Sequence, residues 1–576
     1  MWRFIRLLLA FLLAFFLTMI IGGLLLVGTF SSALVLSGAR GEESKPLPKE
    51  GWLRIPLSGE LREYEQDPTP SFSAAELFLG GPEKRVPTLE ELRLAIAEAG
   101  QNEKVKGIIL QCGDLSARPA QAQQIARWIV DFKQKYKKPV YAYGDYFTEI
   151  TYFVASCADT IIMYPQSGAS VEWNGLVAEG IFFRRFMEKW GIKPRLFRTG
   201  RYKSAAESYT EEKYSEDNRQ QLTSLLEDVW VGWIDSIAKR RKIAADSLRI
   251  WPEQYVFLSA EMALSRGLVD VLLPWQEWTR RFIPEGKKEP SFISVGQLAK
   301  SPKKKGEHQI ALVYAEGGIG PSGEIQADEL VPVLQDLLRE DDIKAVVLRV
   351  NSPGGDVLDS DKIAKALRTL RSQKPVVVSM GGVAASGGYY ISAFANKIVA
   401  EPTTITGSIG VIAVLLDVHE LLEKHIELRT DRVKVGGRYA DFMSPFREAA
   451  PEEVARLQSE IDRIYEEFLA IVREGRRYPS RDAVHTIAQG RVWSGVDAKE
   501  LGLVDTLGGI EVALNLAARE ASLTDYRVVT YPEPKSFFEK WFRDIQAFST
   551  RWGFPLWKKT LPEMIQVYWA DEVQIR

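Results

Sequence analysis

Two residue types that often build metal sites and disulfides are scarce in this sequence. Its 576 residues include four histidines and only two cysteines, Cys112 and Cys157. The cysteines match no metal-binding spacing and could form one disulfide at most. Both lie among apolar neighbours, so we expect them to be buried small hydrophobic residues. The sequence therefore predicts no metal site.

A surplus of charge of either sign is also missing. The 74 Lys and Arg residues nearly balance the 76 Asp and Glu residues, which leaves a net charge of −2. Without a basic surplus, a nucleic-acid partner is not expected. The chain is 46% hydrophobic and 26% charged, which is typical of globular proteins. Its length predicts several domains.

The N-terminus carries a long hydrophobic run. Arg3 and Arg6 precede an uncharged stretch from Leu7 to Ala39. A membrane-spanning helix needs about 20 apolar residues, whereas the core of a cleaved signal peptide has about 7–15. We therefore predict that residues 1–39 form a retained membrane anchor. The positive charges place the N-terminus in the cytoplasm and the body outside it. The predicted location is the plasma membrane or, in a Gram-negative bacterium, the inner membrane with a periplasmic body.

The remainder of the chain contains a long internal repeat. The stretch "KPVYAYGDYFTEITYFVASCADTIIMYP" (138–165) aligns with "KPVVVSMGGVAASGGYYISAFANKIVAEP" (374–402), so that Pro165 pairs with Pro402, 237 positions later. The same offset pairs "GRYK" (200–203) with "GRYA" (437–440). A period of this length indicates a duplicated domain rather than a solenoid.

Each copy alternates short Val- and Ile-rich strands with helical stretches. This alternation predicts an α/β fold with a mostly parallel sheet and helical crossovers. A segment rich in Pro, Lys and Gly between the copies indicates a linker. After the anchor, the predicted divisions are a first repeat (50–285), a linker (286–307), a second repeat (308–530) and an aromatic-rich tail (531–576). The tail is either a membrane-surface segment or a terminal arm packed on the body or on a neighbouring subunit, and we favour the arm.

The second copy contains a candidate nucleophile. Ser386 follows the predicted strand "VVVSM", stands among small residues and begins a predicted helix. Strand, turn and helix are arranged in this way around a nucleophile elbow, although a serine there is also a common helix cap. Upstream, Gly354 and Gly355 of "NSPGG" can turn backbone N–H groups toward a pocket, or form an ordinary turn.

A serine nucleophile needs a base. His419 and His425 lie in a helical pattern that indicates a surface or core role. Lys203, in "RTGRYKSAAES", is the other choice, although most lysines are simply solvated. Its pKa would have to fall by about 3 units from about 10.4, which burial among small uncharged residues can supply.

The duplication links the two candidates. At the 237-residue offset Ser386 pairs with Glu149, and Lys203 pairs with Ala440. The first copy therefore has the lysine without the serine, and the second has the serine without the lysine. This pattern predicts one complete site divided between two degenerate copies.

With "NSPGG", "ASGGYY", "TGSIGV" and "GRYKSA", the chain resembles the signal peptide peptidase A (SppA) family in its long, duplicated form. The resemblance covers the anchor and both repeats. It implies a tandem pair of ClpP/crotonase-like domains and a membrane-anchored serine endopeptidase with a Ser/Lys dyad and no cofactor. The implied substrates are cleaved signal peptides and other unfolded apolar peptides, and the implied assembly is a homo-oligomer, often a tetramer.

The same resemblance assigns residues by position. Ser386 would be the nucleophile, Lys203 the general base, and Ser408 the residue that hydrogen-bonds the lysine. Gly354 and Gly355 would lie at the oxyanion hole, and the amide of Gly387 would be a further donor there.

Three other functions remain in view. A crotonase-type acyl-CoA enzyme needs no nucleophilic serine and usually no anchor facing outward, so the divided Ser/Lys pair and the membrane segment argue against it. A catalytically inactive scaffold would be favoured by the loss of Ser386 or Lys203, and both are present. General turnover of membrane proteins or lipoproteins would use the same protease chemistry, and the sequence does not separate it from signal-peptide removal.

Overall fold

The computed structural model describes residues 47–65, 86–284, 286, 288–299 and 308–532. The predicted anchor (1–39) and nearly all of the predicted tail (531–576) lie outside this part of the chain. No helix within the described part is long and apolar enough to cross a membrane.

The first repeat is built on a six-stranded parallel sheet with the strand order β10-β1-β2-β3-β5-β9. The strands of this repeat are β1 (Gly51–Glu60), β2 (Val105–Ser116), β3 (Val140–Gly144), β4 (Tyr146–Phe147), β5 (Thr160–Met163), β6 (Ser170–Val171), β7 (Lys193–Thr199), β8 (Leu258–Ser259), β9 (Val271–Leu272) and β10 (Phe292–Ser294). Its helices are Leu89–Gln101, Pro119–Tyr136, Glu149–Ala155, Arg184–Lys189, Glu207–Thr210, Glu216–Arg241, Ala245–Gln254, Ala260–Ser265, Trp275–Thr279, the 3-10 turn Arg280–Phe282, and Val295–Ala299.

The second repeat has an eight-stranded sheet that is parallel except at one edge, where β15 and β17 run antiparallel. Its strands are β11 (Gln309–Glu316), β12 (Ile343–Ser352), β13 (Val376–Ala385), β14 (Lys397–Ala400), β15 (Ile405–Gly407), β16 (Val411–Asp417), β17 (Val492–Trp493), β18 (Thr506–Leu507) and β19 (Arg527–Tyr531). Its helices are Ala327–Arg339, Val357–Arg371, Gly387–Ser392, the π-helix Leu421–Ile426, Pro451–Arg476, Arg481–Ile487, Gly495–Glu500 and Ile510–Glu520.

The central strands are covered on both faces. All ten residues of β13 are buried, and so are most residues of β12. Strands enclosed in this way are continuous apolar runs rather than alternating patterns, as in parallel sheets flanked by helices. The prediction of an α/β protein with two parallel-sheet domains is confirmed.

Equivalent side chains show that the two repeats share one plan. In the first repeat the hydroxyl of Tyr152 donates to the carbonyl of Leu268, at 2.9 Å. In the second repeat the hydroxyl of Tyr389, which is 237 positions later, donates to the carbonyl of Leu503 at the same distance. The two cysteines are buried and unbridged, as predicted.

The repeats are joined by a sheet and by buried charges. Strand β7 of the first repeat pairs antiparallel with β16 of the second, in a register that matches Thr199 with Val411. Glu63 and Arg349 form an ion pair across the repeats at 3.0 Å, and both side chains are almost fully buried. Breaking one partner of such a buried pair leaves an uncompensated charge, typically at a cost of about 3–5 kcal/mol.

Part of the segment predicted as a linker (286–307) is structured. Strand β10 pairs parallel with β1, and the helix Val295–Ala299 follows it. Ile293, Val295 and Leu298 are buried in the core of the first repeat. These few apolar residues close one edge of the first sheet.

Candidate functional site

Ser386 occupies a sharp turn between a strand and a helix. It follows the buried strand β13 and precedes the helix Gly387–Ser392. Its backbone has φ 53° and ψ −118°, an unusual conformation for a residue with a side chain. The N–H of Ser386 donates to the carbonyl of Gly407, at 2.9 Å, which holds the turn against β15.

Glycines around Ser386 allow the backbone segments to approach one another closely. A Cβ atom on Gly354 would lie 2.6 Å from the amide nitrogen of Gly387 and 2.8 Å from the Cβ of Ser386. A Cβ on Gly387 would lie 2.7 Å from Ser360 Oγ. A Cβ atom cannot lie within about 3 Å of these atoms, so the turn requires glycine at positions 354 and 387.

Lys203 reaches Ser386 from the other repeat. It lies just after β7, and the N–H of the preceding Tyr202 donates to the carbonyl of Gln489, at 3.0 Å. Lys203 Nζ is 3.0 Å from Ser386 Oγ, 2.9 Å from Ser408 Oγ and 3.1 Å from the carbonyl oxygen of Ser408. The structure thus brings the three predicted residues together within a single chain.

The surroundings of Lys203 favour its neutral form. The side chain is 1% exposed, and burial lowers its pKa from 10.5 to about 7. Within the described part of the chain, burial is the cause of this shift, and no carboxylate contributes to it. A neutral amine at hydrogen-bond distance from a hydroxyl can accept its proton, so the pair has the geometry and the pKa of a base and a nucleophile.

Ser408 is held rigidly beside the lysine. It follows β15, is fully buried, and has φ 50°. Its N–H donates to the carbonyl of Arg491, at 2.7 Å. Both of its oxygens therefore point at Lys203 from a fixed backbone.

Two backbone amides border the space next to Ser386. The N–H of Gly354 donates to Ser352 Oγ, at 3.2 Å. The N–H groups of Gly355 and Gly387 donate to no protein acceptor among the described residues. A Cβ on Gly387 would lie 3.1 Å from the nitrogen of Gly355, so the two amides are close neighbours. Such a pair can hold a developing oxyanion.

Three of the four histidines have partners other than the serine. His419 is exposed and lies 3.3 Å from Glu423. His425 lies beside the ring of Trp190, and His485 Nδ1 is hydrogen-bonded to the hydroxyl of Tyr465.

The counterparts of the site residues in the other repeat are arranged differently. Glu149, at the position of the serine, is buried, and its carboxylate accepts the N–H of Asn174 at 2.9 Å. Burial raises the pKa of Glu149. Ala440, at the position of the lysine, is exposed. The first repeat therefore holds a carboxylate where the second holds Ser386.

Sequence reasoning missed the elements that enclose the site. Gly490 fits directly against the lysine, since a Cβ there would lie 2.5 Å from Lys203 Cβ. A small apolar pocket adjoins the serine, and the helix Pro451–Arg476 contributes to its wall. The residues that line this pocket with Ser386 include Gly387, Tyr390, Val411, Ile412, Ile464 and Phe468. Ile464 and Phe468 lie four residues apart on one face of this helix, a spacing that is typical of packing and holds no signal for a pocket.

A larger cleft lies between the repeats next to this site. It has a volume of about 2260 Å³. Gly354 and Gly355 line it from the second repeat, and Glu149 lines it from the first. The amide of Gly355 therefore borders a space large enough for an extended peptide.

Comparisons with known proteins identify the family of the two repeats. Residues 132–283 and 368–524 match the sequence profile of peptidase family S49, once in each repeat. Residues 312–404 also match the profile of Clp protease, which relates the second repeat to the ClpP-like fold.

Full-length relatives show the same kinship. "Protease 4" of Haemophilus influenzae is 32% identical over 89% of this chain and 85% of its own. "Protease 4" of Salmonella typhi is 31% identical over 76% of this chain and 73% of its own. "Serine protease SPPA, chloroplastic" of Arabidopsis thaliana is 30% identical over 77% of this chain and 68% of its own. Since the family profile matches more than half of the chain, and these relatives align over most of it, the chain belongs to peptidase family S49 and is a serine protease.

Proposed function

We propose that this protein is a membrane-anchored endopeptidase in which Ser386 is the nucleophile and Lys203 is the general base. The observation that carries the proposal is the 3.0 Å separation between Lys203 Nζ and Ser386 Oγ at a buried site. The lysine comes from the first repeat and the serine from the second, which is the division predicted from the duplication.

The reaction follows from the positions of these groups. Neutral Lys203 takes the hydroxyl proton as Ser386 Oγ attacks the peptide carbonyl. The N–H groups of Gly355 and Gly387 receive the oxyanion, and removing such a donor typically costs about 3–4 kcal/mol in the barrier. The ammonium then protonates the leaving amine. A water molecule, deprotonated by the same lysine, hydrolyses the acyl-enzyme, and no cofactor takes part.

Ser408 orients the lysine. An ammonium has three N–H donors and no acceptor. The oxygen of Ser386 and both oxygens of Ser408 lie within 3.1 Å of Lys203 Nζ, so each donor has a partner when the lysine is charged. These partners are uncharged, so they hydrogen-bond to the ammonium without stabilising it as strongly as a carboxylate would, and Lys203 can still lose its proton.

The proposed substrates are cleaved signal peptides and other unfolded apolar peptides. The pocket beside Ser386 supports this assignment, since Tyr390, Ile412 and Phe468 give it an apolar wall. Such a wall favours an apolar side chain next to the cleaved bond. The motif resemblance to the SppA family supports the same class of substrate.

We place the protein in the plasma or inner membrane, with the body outside the cytoplasm, because Arg3 and Arg6 precede the uncharged stretch. We further propose a homotetramer, as the resemblance implies. Exposed apolar side chains in the loop after the helix Leu421–Ile426 support association, since Val433 and Val435 are 92% and 89% exposed.

The test is hydrolysis of an internally quenched apolar peptide by the full-length protein in detergent. We expect Ser386→Ala and Lys203→Ala each to reduce turnover to background. The matched control is Lys213→Ala, which removes an exposed lysine ten residues further along the chain and leaves turnover unchanged. Circular dichroism checks that the variants are folded. Full activity in folded Lys203→Ala would show that the base is another group.

A further inference from the structure

Glu316, which lines the cleft, hydrogen-bonds to the loop that contains Asn351 and Gly355. Glu316 ends strand β11, and its Oε1 accepts the N–H of Glu63 at 3.0 Å, while Oε2 accepts the N–H of Tyr64 at 3.2 Å. Oε1 also lies 3.3 Å from Asn351 Nδ2, which donates to it. Glu316 thus ties two backbone amides of the first repeat to one side chain of the second.

Asn351 carries this connection to the nucleophile. It is the first residue of "NSPGG", and its Oδ1 accepts the N–H of Val383 at 3.2 Å. Val383 lies on β13, three residues before Ser386. The regular pairing of β12 and β13 is interrupted between Val350 and Ser352, so the side chain of Asn351 bridges the strands where the backbone ladder is broken.

We propose that Glu316 is a positioning residue, whose carboxylate acts through Asn351 to hold both the loop that contains Gly355 and the strand β13, which ends just before Ser386. This inference rests on the proposed function, because it concerns the alignment of the oxyanion donors with the nucleophile. An ionised carboxylate accepts all three N–H groups. A protonated carboxyl must donate one O–H and accepts less well, so proton uptake weakens the support.

The charges around Glu316 set where this change occurs. Burial, followed by the negative charge of Glu63, raises the pKa of Glu316 to about 7, although its hydrogen bonds to Glu63, Tyr64 and Asn351 oppose the rise. The ionisable groups around it include Glu63 with its partner Arg349, Tyr64, whose ring stacks on that of Tyr314, and Glu324, which lies against the adjacent Gly317. Glu63 has Arg349 as its ion-pair partner at 3.0 Å, whereas the groups that hydrogen-bond to Glu316 are uncharged N–H donors.

The expected signature is a ratio of rates that depends on pH. Glu316→Gln resembles the protonated state at every pH. We expect kcat of the unmodified protein to exceed that of Glu316→Gln by about 10-fold at pH 8.5, with little change in KM, because the misplaced donors act in the transition state. Below pH 6, where Glu316 is itself protonated, the ratio should approach 1. Protonation of Lys203 affects both proteins and cancels.

The experiment measures kcat and KM for the full-length protein and Glu316→Gln from pH 5.5 to 8.5. The matched control is Glu511→Gln, since Glu511 also bridges the repeats by accepting Trp128 Nε1 at 2.7 Å but does not contact the loop. We expect a ratio near 1 for this control at every pH. A ratio for Glu316→Gln that is constant with pH, or equal to that of Glu511→Gln, would overturn the proposal, because either result indicates only weakened docking of the repeats.

Amide hydrogen exchange gives a readout that needs no turnover. In inactive Ser386→Ala, protection of peptides covering 351–356 should fall between pH 8 and pH 6 after correction for intrinsic rates. Adding Glu316→Gln should remove this pH dependence. A loop equally protected at both pH values contradicts the positioning role, whereas absence of hydrolysis by the unmodified protein contradicts the proposed function instead.

Discussion

Replacing Lys203 with methionine should abolish turnover and change how stability depends on pH. The side chain is completely enclosed, and burial lowers its pKa from 10.5 to about 7. The unfolded chain therefore binds a proton at Lys203 that the folded chain has released, throughout the interval between these two values. Because the unfolded state binds more protons there, the contribution of Lys203 to the free energy of unfolding rises with pH across that interval. Below about pH 7 both states are protonated, and the full penalty applies.

The size of the effect follows from the shift. One pKa unit corresponds to about 1.4 kcal/mol, so the burial of Lys203 lowers the free energy of unfolding by about 4 kcal/mol at pH 7 and by about 2 kcal/mol at pH 9. Lys203→Met removes this penalty and also three hydrogen bonds, each worth about 1 kcal/mol. The hydrogen-bond loss is common to both pH values. The advantage of the methionine variant should therefore be about 2 kcal/mol greater at pH 7 than at pH 9.

Equilibrium guanidinium unfolding of both full-length proteins in detergent, at pH 7 and pH 9, measures this difference. Ser386→Ala is the matched control, because it removes turnover but keeps the buried lysine, and it should follow the pH dependence of the unmodified protein. If Lys203→Met changes the free energy of unfolding equally at the two pH values, Lys203 is not held neutral by burial, and the assignment of the base fails with it.

Three further substitutions test the walls of the site by steady-state kinetics on the quenched apolar peptide. Gly490→Ala should lower kcat by about 100-fold by displacing Lys203. Gly502→Ala should not, because Gly502 has a similar positive φ but a Cβ there would meet only Tyr478 Oη, at 3.5 Å. Ser408→Ala removes one acceptor of the ammonium, so the acid limb of kcat/KM should move about 1 unit or more to lower pH; an unmoved limb would contradict the orienting role. Phe468→Ala should raise kcat/KM for a larger apolar residue at the cleaved bond relative to a smaller one, and an unchanged ratio would separate this pocket from specificity.

The fold of each repeat and the pairing of Lys203 with Ser386 could be predicted from the sequence, because they depend on patterns within each copy and on the offset between the copies. The buried strand, the small residues and Ser386 predicted the strand–turn–helix that the structure shows. The fixed offset between the copies linked Lys203 to Ser386, and the structure brings them within hydrogen-bond distance. Their chemical roles remain predictions until the substitutions are made.

Features that depend on distant contacts could not be predicted in this way. The strand Phe292–Ser294 is three residues long and pairs with β1 across more than 230 residues of chain, within a segment whose composition indicates a linker. Gly490 and Asn351 show the same limitation. Each has an ordinary turn or loop residue type, and its importance comes only from what the fold places against it: Lys203 in one case, Glu316 and Val383 in the other.

The division of the site makes the base itself depend on the docking of the repeats. The lowered pKa of Lys203 arises from burial, and the second repeat supplies much of that enclosure through Gly490, Ser408 and Ser386. In a first repeat without its partner, Lys203 would face water, regain a pKa of about 10.4 and stay protonated near pH 7, so that it could not serve as a base. The second repeat alone would hold Ser386 without a base. The β7–β16 ribbon and the pair between Glu63 and Arg349 are therefore requirements of the proposed chemistry as well as of stability, and activity should develop only after both repeats have folded and docked.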